Sequence, residues 1–121
     1  MATRTAASRH QAKPRIRILC GEDIALGPGK VELLRAIAAT GSLAAAARQL
    51  EMSYMRAWNL VQTMNACFKH PLVELERGGA AQGGAVLSPT GERALALYEA
   101  LERKSLAAMR ADWRSLRRLL S

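Results

Sequence analysis

The sequence predicts a mainly α fold with one small β-hairpin, and three observations carry that expectation. Two short apolar helices, each preceded by a serine suited to capping, follow one another within a few residues. A glycine-rich loop divides two short apolar runs, and the residues from Glu92 onward contain no Pro or Gly. A length of 121 residues supports one hydrophobic core with a modest extension, not two ordinary domains. Half of the residues are hydrophobic but only 4% are aromatic, so the core should be thin, alanine-rich and helical.

Residues 1–13 mix Ala, Thr, Ser and Gln with Arg4, Arg9 and Lys13 and show no hydrophobic period, which reads as a disordered basic tail. From Pro14 to Cys20, cationic and apolar residues alternate with the period of two of a half-buried strand. Arg15 and Arg17 then form its outer face, either as the solvated side of an edge strand or as phosphate contacts. The turn Gly27-Pro28-Gly29 precedes a first helix, in which Val31, Leu34, Ile37 and Ala38 recur at three- and four-residue steps and which should end near Gly41. Ser42 caps a second, short helix with Ala45, Ala46 and Leu50 inward. Ser53 caps a third, from Tyr54 to about Phe68, with Ala57, Leu60, Val61 and Met64 as its apolar stripe.

Residues 72–88 read as a β-hairpin with a loose glycine-rich tip, and Ser88-Pro89-Thr90-Gly91 as the start of a long last helix. Two capped helices at this spacing make a helix-turn-helix, and the hairpin after them makes a wing. The fold class is thus a winged helix-turn-helix, spanning 14–91, with a long C-terminal dimerisation helix over 92–121. Leu106, Met109, Trp113, Leu116 and Leu120 step by 3, 4, 3 and 4 in heptad fashion, and with Leu95 and Tyr98 they form the expected dimer interface. Trp113 in particular has no evident local cover, so a partner helix is expected to bury it.

Eighteen Lys and Arg against ten Asp and Glu give a formal charge of +8, which implies a polyanionic partner. No run approaches the roughly 18 apolar residues of a spanning helix, and the start does not read as a signal peptide. A cytoplasmic, nucleoid-associated protein is expected, with double-stranded DNA as partner and no role at a membrane. Cys20 and Cys67 are far apart in sequence and read as buried thiols. His10 and His70 have no ligand-spaced neighbours, and GGAAQGG lacks the Lys-Ser/Thr pair of a P-loop. Neither a metal site nor an enzyme is expected.

A helix in the major groove reads base edges from its N-terminal half. The candidate base-reading residues are Tyr54, Met55, Arg56, Asn59 and Gln62, since Arg pairs bidentately with guanine and Asn or Gln with adenine. Ser42, Arg48, Ser53, Arg77, Gly79 and Gly83 are the candidate phosphate and wing contacts. Trp58, beside the apolar stripe of the third helix, is expected as a core or subcore anchor, with stacking on DNA as the alternative.

The stretch GSLAAAARQLEMSYMRAWNLVQTMN, followed by ERGGAAQGGAVLSPTGERALALYEAL, resembles the N-terminal DNA-binding domain of the ModE family of molybdate-responsive regulators and, more distantly, the winged domain of LysR-type regulators. The resemblance rests on Ser53-Tyr54, Ala57-Trp58, Met64-Asn65, the paired glycines 78–79 and 83–84, and Leu87-Ser88 with Gly91. It implies a major-groove third helix, a wing on the backbone and pairing of the long helices. Met55 departs from the polar or basic residue common at that position. Residues 106–121 resemble no oxyanion site, so the family's molybdate-binding domain is not expected here, no cofactor is assigned, and the small-molecule effector is unknown. A winged module that has turned its wing or dimer groove to an oxyanion or a protein partner is the alternative function.

Overall fold

The computed structural model describes residues 9–76 and 84–121. Its elements are β1 (Ile18–Cys20), β2 (Asp23–Leu26), α1 (Pro28–Thr40), α2 (Leu43–Gln49), α3 (Tyr54–Cys67), β3 (Val73–Leu75), β4 (Ala85–Leu87) and α4 (Pro89–Arg117). The mainly helical winged fold is as expected. Residues 1–8 of the basic tail, and Arg77, Gly79 and Gly83 in the wing, lie outside the described residues.

α2, α3 and α4 each start where a serine can satisfy an orphan N–H. The Ser42 hydroxyl accepts from the Ala45 amide at 3.1 Å, Ser53 from Arg56 at 3.1 Å, and Ser88 from Gly91 at 3.0 Å. α1 ends at Gly41, whose φ of 71° turns the chain into the left-handed region, where a side chain would be strained. The Gly41 carbonyl then accepts from the Ala85 amide at 3.0 Å, and Ser42 bridges Gly84, so the α1–α2 turn runs as an extra edge along the wing.

Leu33, Leu34 and Ile37 of α1, Leu43, Ala46 and Ala47 of α2, and Ala57, Val61 and Met64 of α3 meet in one core, closed by Leu72, Val73 and Ala85 of the hairpin. Small residues on α2 let its neighbours approach closely. One inward assignment on α1 fails and two buried positions join it: Ala38 is exposed, while Leu33 and Ala36 are buried, because α1 is covered by α2 on one side and by α4 on the other. The antiparallel pair β3–β4 has Val73 opposite Leu87 and Leu75 opposite Ala85.

Two features differ from the sequence expectation near the start of the domain. The strand does not stand alone: β1 turns at Gly21 and pairs with β2, Cys20 opposite Asp23, and β2 buries Ala25 and Leu26. Cys20 and Cys67 are half-buried neighbours despite their separation in sequence. The hydrogen bond from the Cys67 thiol to Cys20, and then burial, push the Cys67 pKa from 9.0 up to about 11.

Tyr98 is the largest fully buried side chain among the described residues, and its hydroxyl donates to the Ile16 carbonyl at 2.7 Å, tying α4 to the segment before β1. Burial first, and then the Glu102 carboxylate, raise its pKa. Both raised groups favour the native state while protonated, a contribution complete below their unfolded values and lost as pH climbs through the folded ones. Stability should stay level from neutrality to pH 9.0 and fall between there and about 11. Urea denaturation across that range checks it. The combined Tyr98→Phe and Cys67→Ser variant should show a much flatter profile, and an unchanged decline would assign the effect to other groups.

Candidate nucleic-acid interface

Counting 100° per residue along α3 from its buried line Ala57, Val61 and Met64, the opposite face carries Met55, Asn59 and Gln62, all exposed. These three form the centre of the solvent face. The other base-reading candidates sit on its edges. Tyr54 is 45% exposed on one side. Arg56 lies on the other side, where it lines a recess with Met52 and Leu60. Thr63 turns its hydroxyl back to the Asn59 carbonyl at 3.0 Å, so its donor is used within the helix.

Trp58 is not part of the buried core: it is 36% exposed, beside the apolar stripe of α3 and not within it. It stands two turns before Asn65, on the edge of α3 that meets the wing. There the Asn65 carbonyl oxygen accepts from the Leu72 amide at 2.8 Å and the Val73 amide at 3.2 Å, while its amide donates to the Val73 carbonyl at 3.1 Å. That bracket fixes the base of the hairpin against the helix.

The phosphate candidates are distributed around the same face. Ser53 is exposed and Ser42 half-buried, and since each hydroxyl oxygen is occupied as an acceptor in its cap, its hydrogen remains to donate to an anion. Arg48, in the last turn of α2, is exposed. The turn between α2 and α3 is tight, with Glu51 at a φ of 57° and the Met52 amide donating to the Ala47 carbonyl at 2.9 Å. Lys30, at the start of α1, was not among the sequence candidates, yet it borders the recess that Arg56 lines. Nothing in the local pattern around Lys30 signals this, because the recess forms from separate elements. Among the described residues no group of three or more His, Cys, Asp or Glu could hold a metal, and no helix is long and apolar enough to cross a membrane.

The expected dimer stripe divides in two. Tyr98 is buried in this chain's own core and is not free for a partner, which corrects its assignment, and Leu95, half-buried, packs against that core. Beyond them Leu106, Leu116 and Leu120 are exposed, while Met109 and Trp113 are half-buried. Residues 10–13 border a hollow with Leu106, Met109 and Trp113, so local chain gives part of the cover expected from a partner. The 29 residues of α4 span about 43 Å, well past the body of the domain.

Comparison with known proteins matches this architecture. Residues 29–92 fit the family of bacterial regulatory helix-turn-helix proteins described as the lysR family. The molybdenum-pterin-binding protein MopB of Rhodobacter capsulatus is 49% identical over 77 residues, covering 64% of this chain and 28% of that protein. The DNA-binding transcriptional dual regulator ModE of Escherichia coli (strain K12) is 40% identical over 74 residues, covering 61% of this chain and 28% of that protein. The chain therefore spans less than a third of the length of these curated relatives. Among solved structures, a chain of the CbnR DBD-DNA complex aligns with a TM-score of 0.51 and 27% identity, over 75% of this chain and 95% of that one. With the family matched over more than half of its length and its serine-capped helices and wing in place, the chain belongs to the lysR family of bacterial regulatory helix-turn-helix proteins, and its helix-turn-helix portion resembles that of ModE.

Proposed function

We propose that this chain is a sequence-specific DNA-binding transcriptional regulator that acts as a dimer, and not an enzyme. The observation that carries this reading is the solvent face of α3, which presents Met55, Asn59 and Gln62 at its centre with Tyr54 and Arg56 at its edges, on a chain of formal charge +8. α3 enters the major groove, Ser42, Arg48 and Ser53 approach the backbone, and the wing over 77–86 reaches the flanking phosphates. The far half of α4 pairs with its counterpart through Leu106, Met109, Trp113 and Leu116, with Leu120 just past its end. Pairing places two copies of α3 on one DNA and calls for a near-palindromic site. The similarity to a DNA-binding ModE and to a chain solved with DNA supports the choice of partner.

Selection of bound genomic fragments by the purified protein at about 150 mM salt, where non-specific attraction is already screened, tests this. Recovery of one near-palindromic motif is expected. Asn59→Ala should leave the thermal midpoint unchanged and reduce discrimination at one base position by about tenfold, a typical value for one bidentate pairing. Even recovery with no motif would reduce the protein to a non-specific binder. Absence of recovery would favour a winged module serving an oxyanion or a protein partner.

A further inference from the structure

We propose that Arg15, Arg17, Lys30 and Arg56 form a phosphate-holding recess beside α3, through which the segment before β1 grips the DNA backbone. This inference rests on the DNA-binding reading above and adds to it a contact element outside the helix-turn-helix and wing.

The recess has a volume of about 300 Å³, room for a tetrahedral oxyanion together with waters. Half-buried Ile24, Met52 and Leu60 give it an apolar part, and Arg15, Arg17, Lys30 and Arg56 line it with them. Among the described residues no carboxylate lines it. The ion pairs among the described residues are those of Arg35 with Glu99 and Glu102, so none of these four cations is neutralised by an acidic partner. Like charges gathered from three separate parts of the chain repel one another unless an anion sits among them.

The local structure explains how they converge. Exposure alternates from Gln11 to Arg17, with Ala12, Pro14 and Ile16 turned toward the domain and Lys13, Arg15 and Arg17 turned out. The bond from Tyr98 to the Ile16 carbonyl fixes that register. The aliphatic stem of Arg17 lies against Gly27, where an added Cβ would stand 3.7 Å from its Cγ. Lys30 donates from its ammonium to the Ile24 carbonyl, which holds it at the same corner. α1 starts there with no side-chain cap and no acidic residue in its first turn, which adds a positive helix end. That end would not make a site by itself; the converging side chains do. Arg56 joins the recess to the exposed face of α3, so a duplex lying on α3 would carry its backbone across the recess.

The test is the Arg15→Ala/Arg17→Ala double variant of the full chain, compared with wild type in DNA affinity over a series of salt concentrations. Each lost phosphate contact removes about 0.9 from the log–log slope, so the slope should shrink by close to two and affinity should fall at least tenfold, with base preference and thermal midpoint unchanged. Arg15→Lys/Arg17→Lys should recover most of the slope. An Arg117→Ala/Arg118→Ala variant lowers the net charge equally at the far end of α4 and should leave the slope as it was.

A wild-type slope in Arg15→Ala/Arg17→Ala overturns the proposal while leaving DNA binding by α3 intact. Titration with inorganic phosphate alone forms a second arm. Saturable micromolar binding that the double variant loses, alongside an unchanged DNA slope, would make the recess a free-anion site and also overturn the backbone role. Wild-type protein that binds no DNA would instead strike the regulatory reading itself, and this contact with it.

Discussion

Gly91→Ala is expected to cost about 3 kcal/mol of folding stability or more, through steric overlap that the core cannot relieve cheaply. An added Cβ would overlap the Leu72 carbonyl oxygen and stand 3.0 Å from the Leu72 carbonyl carbon. That oxygen cannot swing away, because it accepts from the Ser88 amide at 2.9 Å. Ser88 is itself held, donating to the Pro71 carbonyl at 2.6 Å and accepting from the Gly91 amide at 3.0 Å. The first turn of α4 is thus seated directly on the backbone at 71–72, and a methyl group must lift the helix off the hairpin. Gly29→Ala is the matched control: its added methyl meets nothing within 4 Å and lies inside α1, so it should be neutral or stabilising by up to about 1 kcal/mol. Urea midpoints followed by helical circular dichroism measure both. Equal midpoints for the two variants would show that α4 does not rest on Leu72.

The parts of this fold legible in the sequence are those whose cause is local. Ser42 and Ser53 announce helix starts because the capping bond spans three residues, and Gly41 announces a helix end because left-handed backbone favours glycine. β2 is not legible: four residues beginning with Asp23 carry no alternation, and only pairing across the turn at Gly21 makes them a strand. Tyr98 and Leu95 fall on the same side of α4 as Leu106, Met109 and Trp113, so periodicity shows one continuous stripe. The point where the domain body stops covering that stripe depends on how α1 and residues 10–18 pack against α4. Trp58 borders the apolar stripe of α3, which is why it reads as a core or subcore anchor, but periodicity does not report how far the cover extends over that edge. The cationic recess is the extreme case, since its four cations come from the segment before β1, from α1 and from α3 and share no spacing.

Asn65→Ala is expected to cost about 3 kcal/mol, because it strips one side chain of two accepted and one donated hydrogen bond and leaves backbone groups at a buried position unpaired. Leu72 is fully buried and Val73 nearly so, which leaves little room for water to replace the lost partner. Asn65→Asp separates the contributions. Its carboxylate can still accept from the Leu72 and Val73 amides but presents an oxygen to the Val73 carbonyl, so it should lose less stability than alanine and still fall short of wild type. Asn65 joins the last turns of α3 to the start of β3, so the same change should loosen the angle between the helix and the wing. With protein still folded at low temperature, DNA affinity should drop while preference at the base position assigned to Asn59 is kept, as expected if the wing contributes backbone contacts and α3 the reading. Loss of base preference in step with affinity would mean that Asn65 positions α3 itself, and the division of labour between helix and wing would have to be redrawn.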